Sequence, residues 1–323
     1  MSATDTNQRR LDVSAEERRQ RLAYLGGRAG WYALLVLALL LALASLLPLY
    51  WMITGSFKVQ HDSIAYPPDM FPTHPTLQNW HTLLFGTKSL NQFFTTDVGV
   101  ALQNWRELIT NGGTLRWLLN SIIVAGSIAF ISVITSTLAG YAFGKKEFPG
   151  RNVLFWLLLM TMMLPRQLSL IPLFIMMKDF KWFDTYQAMI APYICYPFGI
   201  FLIRQFMQSV PNELLDAAKI DGASELQLFW KVVFPLVKPA VGAVAIFAFM
   251  FGWNDYLWQL VVINKDSMVT LPVGVSRLVA GWGSVDIGLG MAGATLAFIP
   301  MLIVFLLFQD YFVKGITLGA LKG

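Results

Sequence analysis

The residues with most chemistry to offer sit inside otherwise apolar runs. Trp253-Asn254-Asp255-Tyr256 sets two aromatic faces beside an amide and a carboxylate, and Arg166-Gln167 follows Pro165 in another such run. Aromatic faces with a few convergent amide and carboxylate groups are what sugar rings and hydroxyls call for. A charged side chain at membrane depth costs about 2.5–3.5 kcal/mol on insertion scales, so Arg166 and Asp255 are expected to face protein or water. Two readings stay open. The six residues line a solute path, or Asp255 pairs with Arg166 or with a partner chain so that both charges are buried. Enzyme chemistry finds no support, because no nucleophile, acid–base pair or metal cluster assembles from the sequence. His61, His74 and His81 are spaced 13 and 7 apart, which fits neither helical i, i+4 ligation nor a zinc pattern. No GxxxxGK[ST] phosphate loop is present either, so any ATP must be bound by another chain.

A second constellation, 208–238, is the only long amphipathic stretch between the apolar runs, and it looks like a docking segment. Pro211 suits a first helical turn, Glu213 and Asp216 put negative charge near that helix's N-terminus, and Asp221-Gly222 supplies the chemistry to stop it. Gly222 is expected at positive φ. Ser224 with Gln227 has the spacing of a capping box, after which Pro235 is expected to end the run and Pro239 to open a new helix.

The elements that must carry these residues are membrane helices. Of 323 residues 56% are hydrophobic and only 13% charged, where soluble domains carry about a quarter charged. Six runs are long enough to cross a bilayer: Trp31–Ile53, Trp117–Phe143, Asn152–Met177, Thr185–Ile203, Pro239–Ile263 and Ile287–Gln309. Pro165 and Pro172 are both expected to interrupt the third. No small-residue cleavage site closes the first run, so it reads as a span and not a signal peptide. The chain thus divides into a basic tail at 1–30, a first transmembrane helix at 31–54, an extracytoplasmic segment at 55–116, a transmembrane core at 117–313 and a short, flexible tail at 314–323.

Six spans put both termini on one side, and the cations choose which. Fifteen Lys and Arg fall in the tails and the connections 144–151 and 204–240, against eight in the opposite connections, which places both termini and the 208–238 loop in the cytoplasm. The net charge of +5 is accounted for by this orientation, and no basic, aromatic-interleaved face invites nucleic acid. Cys195 is alone and lies in an apolar run, where it reads as a small buried hydrophobe.

With these residues in view, the loop resembles the permease signature of bacterial ATP-binding-cassette (ABC) importers, whose pattern is Glu-Ala-Ala, three residues, Gly, nine residues, Ile, one residue, Leu-Pro. Asp216-Ala217-Ala218, Gly222, Val232 and Phe234-Pro235 hold those places at matching spacing. Asp stands for Glu, Val for Ile and Phe for Leu, each keeping charge sign or apolar character. The flanking AAKIDGAS and FPLVKPA are similar to the carbohydrate-importer branch, as are the WND-aromatic stretch and the Gly-rich ending. The resemblance runs from Trp31 to the C-terminus. It implies an all-α integral membrane protein of the type I importer permease architecture, with six helices and a cytoplasmic helix-turn-helix that couples to an ATPase through Glu213, Asp216, Ala217, Ala218, Asp221 and Gly222. It implies a transmembrane permease subunit for a sugar or sugar derivative in the bacterial inner membrane. Its partners are a homologous permease subunit, two ATPase subunits and an extracytoplasmic solute-binding protein, with ATP and Mg held by the ATPases and no cofactor on this chain. The alternative is a stand-alone secondary transporter or channel. Such a carrier usually shows more ionisable residues in its spans and an internal repeat, whereas only Arg166 and Asp255 are charged here and the 210–240 pattern occurs once.

Overall fold

The computed structural model describes residues 30–320 apart from 68, 87, 88, 90, 92–96, 111, 112 and 281–285. The basic tail expected at the N-terminus therefore lies almost wholly outside the described residues. The chain divides into two units, Met1–Thr54 and Gly55–Gly323. The first is carried by a helix, α1 (Gly30–Gly55), of 26 residues and mean hydropathy 2.5. At 1.5 Å per residue it is about 39 Å long, enough for a hydrocarbon core of about 30 Å. Its leucines from Leu34 to Leu47 are exposed along the whole helix, which suits an apolar solvent.

The second unit begins with α2 (Gln60–Ser63), α3 (Gln78–Phe85) and α4 (Val98–Thr110). Asn79 Nδ2 ties α3 back to the chain after the first unit by donating to the Ser56 and Lys58 carbonyls at 3.0 and 2.8 Å. The central rod is α5 (Thr114–Lys145), followed by α6 (Arg151–Thr161), α7 (Leu170–Asp179), α8 (Tyr186–Ile190), α9 (Pro197–Ser209), α10 (Asn212–Ile220), α11 (Glu225–Gln227), α12 (Phe234–Trp253), α13 (Leu257–Val262), α14 (Leu271–Ala280) and α15 (Ile287–Ala320). Among the described residues every element is helical. Four helical stretches are long and apolar enough to cross a membrane, and up to six if each of two bent pairs counts as one span. α6 and α7 meet at 96° with a 3₁₀ turn, Arg166–Ser169, between them, and α8 and α9 meet at 41°.

α5 can sit at the centre because one of its faces is small. Ser132, Ser136, Gly140 and Gly144 recur every fourth residue, and small residues at that spacing let helix backbones approach closely. A Cβ at Gly140 would stand 2.5 Å from Ile203 Cγ2, and one at Gly144 would stand 2.6 Å from Met207 Cβ, both on α9. The core then divides into two larger clusters and a small one around Ala125, Trp253 and Leu271. Val124, Ile128, Met189, Trp258 and Val273 belong to one of the larger clusters, and Tyr141, Ile203 and Met207 pack with Leu215, Phe229 and Val233 of the 208–238 loop in the other.

The helices break in places other than expected. Pro235 does not end a helix and Pro239 does not open one, since α11 runs through a π-helical turn, Leu228–Val233, into α12. The π turn shifts the hydrogen-bond register immediately before Pro235, which stands at the second position of α12 with helical residues on both sides. Pro172 likewise lies in the first turn of α7, so the break at that span belongs to Pro165 alone. The run expected to be continuous from Pro239 to Ile263 stops at Trp253. Asn254 there bonds back to the Met250 carbonyl with both its backbone N–H and its side-chain amide, at 3.0 and 2.8 Å, a local pairing that competes with helix continuation. α15 runs past the expected end of its span at Gln309 as far as Ala320, through the start of the stretch read as a flexible tail.

Candidate functional site

The loop between α9 and α12 is built as its residue types dictate. Pro211 is the N-cap of α10, in extended conformation with φ −61° and ψ 137°, so it precedes the first turn. Glu213 lies in that first turn, where a carboxylate is favoured by the helix dipole. The helix ends in a Schellman motif: Gly222 N–H donates to the Lys219 carbonyl and Ala223 N–H to the Ala218 carbonyl, both at 3.0 Å, with Gly222 at φ +79°. Ser224 and Gln227 form the reciprocal capping box. Glu213, Asp216, Ala217, Asp221 and Gly222 are exposed and Ala218 is half-buried. Leu215 faces the core, while Ile220, at 87% exposure, projects from the turn.

The polar residues of the apolar runs gather at three helix breaks. Arg166 comes from the α6–α7 elbow, Tyr193 from the 3₁₀ turn Ala191–Tyr193 before α9, and Asp255 from the gap between α12 and α13. Arg166 Nη2 donates to Tyr193 Oη at 2.6 Å, and Tyr193 Oη–H donates to Asp255 Oδ2, which also accepts from Gln259 Nε2 at 3.4 Å. The guanidinium lies 4.2 Å from the centroid of the Phe251 ring and 5.1 Å from that of Tyr193. Arg166 thus reaches Asp255 through a phenol, with its charge spread over two aromatic faces.

An open cleft of about 560 Å³ adjoins this hub and is lined by Arg166, Asn254, Asp255 and Tyr256 together with Tyr196 and Phe251. Gln167 lines a smaller cavity of about 150 Å³ behind it, which also touches Arg166, Tyr193 and Asp255. Trp253 goes elsewhere: it is only 2% exposed, stacks on Phe249 and donates its indole N–H to the Ala297 carbonyl at 3.1 Å. The Tyr256 hydroxyl lies 3.1 Å from Ser276 Oγ. Five of the six residues singled out in the spans therefore come together around adjoining cavities, and Trp253 instead fixes α12 to α15.

A family model described as "Binding-protein-dependent transport system inner membrane component" matches residues 136–318, a range that takes in both the loop and the hub. The chain belongs to this family. This inner membrane component is 33% identical over 284 residues to the arabinooligosaccharides transport system permease protein AraQ of Halalkalibacterium halodurans, covering 88% of this chain and 93% of that one. It is 31% identical to AraQ of Bacillus subtilis, over 90% and 95% of the two chains. With the sn-glycerol-3-phosphate transport system permease protein UgpE of Escherichia coli O1:K1 it shares 32% identity over 86% and 93%. Its fold is that of a chain in the crystal structure of a bacterial ABC transporter involved in the import of the acidic polysaccharide alginate. There the TM-score is 0.71 at 22% identity, over 88% of this chain and 97% of that one.

Two participants in this binding-protein-dependent permease escaped sequence reasoning. Tyr193 joins Arg166 to Asp255, yet a tyrosine beside Pro192 carries no local signal of that role. The small-residue face of α5 was visible as Ser132-x₃-Ser136-x₃-Gly140-x₃-Gly144, a spacing that a search for close helix packing finds.

Proposed function

We propose that this chain is one of two permease subunits of an ABC importer for a sugar or sugar derivative, spanning the inner membrane six times with both termini in the cytoplasm. In this reading each bent pair is one span, and the fifteen-to-eight cation asymmetry sets the orientation. The observation that carries it is the 208–238 loop, a rigidly capped helix-turn-helix with exposed Glu213, Asp216 and Asp221 on a chain otherwise poor in charge. These residues, with Ala217, Ala218 and Gly222, meet the ATPase, which holds ATP and Mg. Closure of a pair of ATPase subunits then drives the two permeases between inward-open and outward-open states. A homologous permease and an extracytoplasmic solute-binding protein complete the assembly.

The solute passes beside the Arg166–Tyr193–Asp255 hub. The 560 Å³ cleft offers the faces of Tyr196 and Phe251 to a ring, and the Asn254 amide and Arg166 guanidinium to its hydroxyls. The names of the relatives support the carbohydrate branch, as oligosaccharide and glycerol-phosphate carriers both occur among them.

The test is reconstitution. The chain is co-expressed with a permease partner, ATPase and solute-binding protein, and uptake of arabino-oligosaccharides and of sn-glycerol 3-phosphate into vesicles is measured with and without ATP. Uptake of either that needs ATP and every partner is expected. Uptake by this chain alone without ATP would make it a stand-alone carrier.

A further inference from the structure

Two adjacent lysines at the loop-side end of α5 hold both feet of the docking loop. Lys145 is the last residue of the helix, and Lys146 is its C-cap with an extended backbone, φ −107° and ψ 146°, so the two side chains diverge. Lys145 Nζ donates to the Val210 carbonyl at 2.5 Å and to Asn212 Oδ1 at 2.7 Å, where α10 begins. Lys146 Nζ pairs with Glu225 where α11 begins, and the same carboxylate oxygen accepts from the Tyr141 hydroxyl at 3.3 Å. The Lys146 ammonium also lies 5.3 Å from the Tyr141 ring centroid, and that ring packs edge-on against Phe229 at 5.3 Å. The stretch from Glu213 to Ser224, which packs on the core through Leu215, is thus tied at both its ends to one helix.

The same helix is fastened at its middle to the hub. Ser132 Oγ donates to the carbonyl of Tyr193 at 3.2 Å and Thr135 Oγ1 to that of Ile194 at 2.7 Å, within the break that carries the Tyr193 hydroxyl to Asp255. From Ser132 to Lys146 the rod measures about 21 Å at 1.5 Å per residue.

We propose that Lys145 and Lys146 are positioning residues. They clamp the docking loop to α5, so that loop and helix move as one body and a displacement of α10 reaches the 193–196 break without being absorbed at 210–212 or 223–225. This rests on the loop being the ATPase contact proposed above. Glu225 is 65% exposed, and exposed ion pairs add little to stability, so reversing its charge leaves a chain that folds.

The test uses the assembled complex in lipid vesicles, with Cys195→Ser and spin labels on Glu147→Cys and Lys219→Cys. One narrow inter-label distance is expected, unshifted when Mg-ATP with vanadate is added. Lys146→Glu and Glu225→Lys should each broaden it and make it shift with nucleotide. Combining the two reversals should restore the narrow distance, which a general loss of stability would not do. The clamp is overturned if nucleotide shifts the unreversed complex beyond its own width, if the single reversals stay narrow, or if the paired reversal fails to restore. Failure of an ATPase to co-purify with the unreversed chain sinks the docking reading instead, and the labelled chains still report whether the clamp exists.

Discussion

Replacing Gly222 by valine puts a β-branched side chain where the backbone holds φ +79°. A Cβ built there meets nothing within 4 Å, so the penalty is purely conformational. An L-residue in the left-handed region costs about 1–2 kcal/mol, and a β-branched one sits at or above the upper end. The turn can escape by surrendering the two Schellman bonds at 3.0 Å, which are together worth about 1–3 kcal/mol at 0.5–1.5 kcal/mol each. The two costs are comparable, so the variant turn divides its population between the native and an opened geometry. Either cost is small beside the roughly 5–15 kcal/mol that holds a folded domain together, and the membrane core does not touch this residue. Gly222→Val is therefore expected to insert normally but to lose ATPase co-purification and ATP-driven uptake. Gly222→Asn should fall much closer to wild type, because asparagine enters the left-handed region readily. Membrane yield, co-purified ATPase and uptake measured side by side check this. Wild-type uptake with valine, or equal damage from asparagine and valine, refutes the argument from backbone conformation.

Orientation is checked with single cysteines in a Cys195→Ser background: Gly150→Cys and Ala223→Cys should be shielded from an impermeant thiol reagent in intact cells, and Ser63→Cys should react. Labelling of position 223 from outside would invert the topology. Tyr193→Phe removes the hydroxyl bridging Arg166 and Asp255 and leaves the buried carboxylate with Gln259 at 3.4 Å and the backbone N–H of Trp258, a loss of about 1–3 kcal/mol that should lower the thermal unfolding temperature of the complex. An unchanged temperature would show that the bridge is not formed. Asn254→Leu keeps the branched shape and heavy-atom count of the side chain but removes the amide from the cleft wall, so the complex should assemble and hydrolyse ATP while uptake falls. Undiminished uptake takes Asn254 off the solute path.

The loop was legible because its conformation is set within a few residues. Glycine after Asp221 and serine three before Gln227 each prefer one backbone geometry strongly enough to be read locally, whereas Pro211, expected in the first turn of α10, stands just before it as the extended N-cap. Charge in lipid was legible for a similar reason, since only a few environments tolerate Arg166 or Asp255. What joins those charges was not, because Tyr193 reaches Asp255 across 62 residues of chain and only the fold brings them together. The prolines misled for a related reason. Proline forbids one hydrogen bond at one place, and whether a helix ends there depends on the register of the turn before it, which the π segment at 228–233 had already moved. Trp253 misled by company: its neighbours in sequence face the cleft, while its own ring turns to α15.

That π segment also fixes an azimuth. A π turn carries one residue more than the α-helical path it replaces, and successive residues of an α-helix are about 100° apart, so converting Leu228–Val233 to α geometry at constant length would swing everything before it around the axis of α12 by that angle. α10 would then face another side of the molecule, and Glu225 would be carried away from Lys146. The loop is therefore aimed as well as capped. The nine residues between Gly222 and Val232 behave as a phase angle, a quantity indifferent to most side-chain changes and intolerant of a single insertion or deletion.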